Sequence, residues 1–274
     1  MVRNNKEEDM FRSSNPALKE ELFSSSGVLA DGQVMTIQGA VNKTLIMLFI
    51  LVAGASWVWT GIMPMLSRAA LAEGTGMSAL TLQGNPLVVP VAIGGFFVAL
   101  VLSFVIVFKP VWSSYLAPVY ALGEGLALGG ISAFIEFRFP GIVMQAVLLT
   151  FATLFCLLMA YKFGVIRVTD KFRLGLVVAT AAIGVIYLIN LVMGFFHTSI
   201  PFVSGGGFFG IAFSMFVVGI AALNLVLDFD LIERGAESGA PKYMEWYSGF
   251  ALMVTLVWLY MEILRLLSKL RGRD

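Results

Sequence analysis

Asp228 and Glu262 are carboxylates set inside stretches otherwise fit for lipid. Asp228 lies in Asn224-Leu225-Val226-Leu227-Asp228-Phe229-Asp230-Leu231-Ile232-Glu233, which closes an apolar run beginning near Phe208. Glu262 lies in the last apolar run, residues 250–267. A charge in a spanning helix costs at least about 2.5 kcal/mol, so it faces a protein interior or a water-filled path rather than lipid. Two carboxylates in one dry site cannot cheaply both ionise, and they titrate as a unit. Sharing one proton would tie the two segments together, and losing it would add repulsion. The pattern predicts that Asp228 and Glu262 approach to hydrogen-bond or one-water distance and form a pH-responsive couple. Two carboxylates supply too few oxygens to cage a hard cation, so the couple is at most a weak, transient site for one, better suited to passage than to storage.

The neighbouring polar residues refine this expectation. Asn224 precedes Asp228 by four residues and shares its helix face, so Asp228 belongs to the more polar, interior stripe. Asp230 lies roughly 200° around the helix from Asp228 and near the helix end, where solvation is expected. Glu124 sits in the middle of another apolar run. It either lines a polar path or is a protonated carboxyl bonded to a neighbouring helix. Glu262 has its own alternative, a local pair with Arg265 three residues on.

The elements that must position these groups are membrane helices. The chain has 274 residues, 59% apolar and 13% charged; soluble domains carry about 25% charged residues. A spanning helix needs about 20 mostly apolar residues, and seven stretches qualify: 44–66, 87–108, 115–134, 140–161, 174–196, 208–232 and 246–267. None alternates like a membrane β-strand. The fold class is therefore an all-α membrane protein, a seven-transmembrane-helix bundle in one domain (residues 37–274) behind a polar tail (residues 1–36). One helical turn is expected in that tail after Ser14-Asn15-Pro16. The third helix carries Ala117, Ala121, Gly125, Gly129 and Ala133, each four apart, a spacing that lets membrane helices approach closely. Glu136-Phe137-Arg138-Phe139 is short enough to force an antiparallel hairpin.

Other chemistry finds little support. The net charge of +1 gives no reason to expect nucleic acid, and the single Cys156 cannot form an intrachain disulfide. His197 is the only histidine and has no Cys or His companions, so zinc is not expected. Ser204-Gly205-Gly206-Gly207 lacks the Lys-Ser/Thr of a phosphate loop. There is no Ser/His/Asp arrangement and no His-Glu-x-x-His, hence no sequence case for an enzyme or a resident cofactor. Basic residues fall 12 to 6 in favour of the side that holds the N-terminal tail. By the positive-inside rule that side is cytoplasmic. The basic C-terminus runs against the count: either it is translocated despite its charge, or the seventh segment does not fully cross.

Several short stretches together carry a resemblance. They are Arg12-Ser13-Ser14-Asn15-Pro16, Met35-Thr36-Ile37-Gln38-Gly39, Ala240-Pro241-Lys242-Tyr243-Met244-Glu245-Trp246-Tyr247 and Leu259-Tyr260-Met261-Glu262. On these the chain resembles the Bax inhibitor-1 family (TMBIM, YccA-like), bacterial subgroup, over about residues 35–270. The resemblance implies a seven-helix bundle with the last helix central, in the cytoplasmic membrane. It further implies a pH-sensitive calcium leak whose sensor is a pair of aspartates in helices six and seven. Here the matching positions are Asp228 and Glu262, so the second is a glutamate, and Lys109 is the nearest match to the family's basic residue. Partners under this reading are the lipid bilayer and calcium ions. Other relatives restrain a membrane-bound protease, which gives the alternative of a non-transporting membrane regulator bound to such a protease or another membrane complex.

Overall fold

The computed structural model describes residues 34–75, 87–198 and 200–272. The tail motif around Ser14-Asn15-Pro16 lies outside them. Seven long helices follow one another: α1 (Ile37–Thr75), α2 (Val88–Phe108), α3 (Ser113–Arg138), α4 (Ile142–Lys162), α5 (Asp170–Phe195), α6 (Phe208–Glu237) and α7 (Met244–Arg271). Each contains a stretch long and apolar enough to cross a membrane. A single helical turn, Pro201–Ser204, precedes α6. The helices outrun the apolar stretches because hydropathy marks only what lipid must cover. The hydrogen-bonded backbone continues until a cap stops it. At the start of α1 the Thr36 hydroxyl accepts from the Gly39 N–H at 2.9 Å, so the helix begins seven residues before the apolar run.

Helix α7 runs the full length of the bundle. At its first residues Ser113, which opens α3, donates to the Tyr243 carbonyl at 3.0 Å. At its far end Lys269 binds the segment that opens α6, and Arg271 donates to Pro140 in the α3–α4 turn. α7 is therefore as long as the bundle it packs in. α7 packs against α1, α3, α4 and α6. It belongs to both large apolar clusters, one with α4 and α6 through Leu252, Leu256 and Leu259, the other with α1, α2 and α3 through Phe250 and Met253. Half of its most apolar window is buried, as is half of α3's, against 11% for α5; α7 and α3 are thus the inner helices and α5 the peripheral one.

The small residues of α3 do what their spacing predicts. Ala117, Ala121 and Ala133 are fully buried. A side chain added at Gly125 would place its Cβ 2.2 Å from the Leu51 carbonyl oxygen of α1, and one at Gly129 would come 2.4 Å from that of Ala55. These obstacles are backbone, which cannot rotate away. Gly125→Val is therefore expected to separate α1 from α3 and to cost about 3 kcal/mol or more. It should lower the thermal transition in detergent far below that of Gly94→Val, whose added Cβ meets nothing within 4 Å.

Candidate functional site

The register between α6 and α7 decides where the carboxylates go. Lys269 donates to the Ser214 hydroxyl at 2.9 Å. Fourteen residues along α6 and fourteen back along α7, Asp228 has Thr255 as its polar neighbour. The antiparallel pair thus runs without slip from Ser214/Lys269 to Asp228/Thr255. Glu262 lies seven residues beyond Thr255, about 10 Å along the helix axis, level with the fully buried Ala221. Asp228 and Glu262 therefore do not meet. The expected carboxylate couple is replaced by two separate groups, one in each half of the bundle.

Glu262 is 1% exposed and fully engaged. Its carboxylate accepts from Arg265 at 2.9 and 3.0 Å, from the Tyr187 hydroxyl of α5 at 2.9 Å and from the Trp258 indole at 3.3 Å. The local Arg265 pair is present, but it is one part of a cluster that also fastens α5 to α7. Arg265 closes the triangle by donating to the Tyr187 hydroxyl at 2.6 Å, with its guanidinium 4.8 Å from that ring's centre.

Asp228 is the opposite case. Its Oδ2 is buried and has no hydrogen-bond partner. Thr255 also donates its hydroxyl to the Ala251 carbonyl at 3.2 Å, so it can offer the carboxyl little else. Lys109, at the exposed end of α2, stacks on Trp112 with its ammonium 4.5 Å from the ring centre and pairs with no carboxylate among the described residues. No group of three or more His, Cys, Asp or Glu comes together among the described residues. Asp228 and Glu262 thus supply no multi-carboxylate cage for calcium, and an ion could meet each of them only singly.

Asp230 is not solvated as its place near the helix end suggested. It is 6% exposed and paired with both Arg173 of α5 and Arg234 one turn on, the latter at 2.9 Å. Burial arises because α5 covers that face of α6. Asn224 donates to the Thr180 hydroxyl of α5 at 2.9 Å. Arg173, Thr180 and Tyr187 are spaced by seven residues, which keeps them on one face of α5. The peripheral helix is therefore clasped by three polar contacts, to Asp230, Asn224 and Glu262. Glu124 is half-buried, and its polar neighbour is Tyr120, one turn back on its own helix.

Two further groups carry no hydropathy signal. Glu245, 1% exposed in the first turn of α7, accepts from the Thr36 N–H and hydroxyl, both at 3.0 Å, and pairs with Lys242 at 2.8 Å. A Cβ on Gly39 would lie 1.9 Å from a Glu245 carboxylate oxygen, so only glycine admits this contact. Glu245 thereby joins two of the short stretches that carried the family resemblance, across 209 positions. Lys269 donates to the Val203 and Gly210 carbonyls at 2.7 and 3.1 Å as well as to Ser214. Only its position among the basic C-terminal residues hinted at a role.

Seven long apolar helices, with ionisable groups held inside the bundle, define a polytopic membrane protein of the bundle class. The family model for Bax inhibitor 1 like proteins matches residues 15–272, and the chain belongs to that family. No curated protein and no solved structure matches it.

Proposed function

We propose that this protein is a pH-sensitive cation leak, with calcium among the ions it passes, and that Asp228 alone is its protonatable control. The observation that carries the reading is a carboxyl oxygen buried without a partner at the interface of α6 with α7. As the neutral acid, Asp228 leaves that interface intact. As the anion it is an uncompensated charge in an apolar interior, a condition relieved by water or a passing cation. Opening therefore follows deprotonation, and flux rises with pH. Glu262 and Asp230, each already matched by arginine, serve as clasps that hold α5 while α6 and α7 move. The absence of a second carboxylate beside Asp228 favours brief passage of calcium over retention. The test is calcium entry into liposomes containing the purified protein alone, measured against pH. No flux above empty liposomes at any pH would overturn the reading.

The exposed outer face of α5 favours one second reading, a regulator that seats a membrane-bound protease or another membrane complex there. Such a protein gives no flux by itself and is recovered with its partner.

We place the protein in the cytoplasmic membrane, as in the bacterial subgroup, with the N-terminal side of the bundle in the cytoplasm, on the 12 to 6 basic asymmetry. Val165, exposed between α4 and α5, reports on this directly. In a Cys156→Ser background, Val165→Cys is expected to react with an impermeant thiol reagent only after the cells are permeabilised. Labelling of intact cells would reverse the orientation.

A further inference from the structure

A lateral cavity of about 770 Å³ opens between α1 and α4 at the end of the bundle where the chain enters α1. Its walls include Val41 and Leu45 of α1 and Leu154 and Leu158 of α4, and it reaches Leu252 and Leu256 on α7. The volume is in the range of a pocket for one small ligand. Lys162, at the end of α4, and Arg167, in the loop that follows it, line the cavity, and both are exposed. Neither pairs with a carboxylate among the described residues. The acids of the same wall are already engaged: Asp230 is held by Arg173 and Arg234, and Glu233 accepts from Tyr161. Two basic groups are thus left facing a slot whose other walls are apolar.

We propose that this cavity holds one anionic phospholipid, with its phosphate between Lys162 and Arg167 and an acyl chain lying between α1 and α4 against α7. Anionic amphiphiles match both parts of the slot, and basic pockets between spanning helices on the cytoplasmic side bind acidic headgroups. The existence of this site does not depend on the ion-leak reading.

Native mass spectrometry of the delipidated full chain tests this, with dioleoyl phosphatidylglycerol, dioleoyl phosphatidylcholine and oleate as probes. Wild type should retain one phosphatidylglycerol at least tenfold more tightly than phosphatidylcholine. Removing each basic residue should cost about fivefold. Lys162→Ala/Arg167→Ala should then bring the two phospholipids level while keeping the wild-type thermal transition, because neither side chain is part of the packing. Leu158→Trp fills the slot and should release the bound phosphatidylglycerol. Lys43→Ala, at a basic residue of the same side that stacks on Trp246, should keep the preference. Equal retention of both phospholipids by wild type would overturn the proposal. So would a preference that survives Lys162→Ala/Arg167→Ala or Leu158→Trp, or one that is lost equally in Lys43→Ala. Oleate held as tightly as phosphatidylglycerol would replace the phospholipid with a free fatty acid.

Discussion

Asp228→Asn is expected to flatten the dependence of calcium flux on pH over roughly pH 6 to 8, where perturbed carboxyls operate, while wild-type flux rises several-fold across the same range. Asparagine keeps the shape and polarity of the neutral acid but cannot ionise, so the variant is fixed in the state that leaves the α6–α7 interface intact. Its flux should stay at the wild-type low-pH level. The fold should persist, because the replacement removes a potential charge from a buried oxygen that has no hydrogen-bond partner. Glu262→Gln separates this account from one in which two carboxylates share a proton. With Glu262 two helical turns away and bound to Arg265, Tyr187 and Trp258, its replacement should leave the pH profile in place. A profile abolished by Glu262→Gln but untouched by Asp228→Asn would sink the single-residue control.

Glu262→Ala should be far more damaging to stability than Glu262→Gln. It removes three partners at once and leaves the Arg265 guanidinium, the Tyr187 hydroxyl and the Trp258 indole without their acceptor. Breaking a buried ion pair costs about 3–5 kcal/mol. Arg265 has a side chain 39% exposed and can turn toward water, which places the loss nearer about 2–3 kcal/mol. Thermal unfolding in detergent would read it. The double variant Glu262→Ala/Arg265→Ala should recover part of the loss, since no charge is then left without its partner. A double variant less stable than the sum of the two single changes would show that the cluster acts through packing and not through charge.

The same cluster gives α5 its place. That helix buries little apolar surface, so its position rests on contacts whose strength depends on charge and hydrogen bonding. The clasps were only partly legible beforehand. Glu262–Arg265 is visible as a spacing of three on one helix. Tyr187 is not, because a tyrosine in an apolar run carries no mark of the helix it will face. Asp230 shows the reverse error: its nearness to a helix end predicts water, yet Arg173 of α5 covers it.

Amino-acid order alone determined the seven apolar helices, because the cost of unpaired backbone in lipid leaves a chain of this composition no other structure. It also determined the close contact along α3, because glycine and alanine four apart expose backbone on one face whatever helix arrives there. What packs against that face, and at what height, is not a local property. The approach of α6 and α7 fixes Ser214 opposite Lys269 and Asp228 opposite Thr255, and a shift of seven residues would have paired Asp228 with Glu262 instead. Both registers place the same residues on the same helix faces, and both satisfy the same hydropathy. Only the packing of α7 among four neighbours, pinned by Glu245 against Thr36 at one end and by Lys269 against Ser214 at the other, selects between them. Periodicity fixes which way a side chain points around its own helix, whereas its partner depends on the translation of one rigid helix along another.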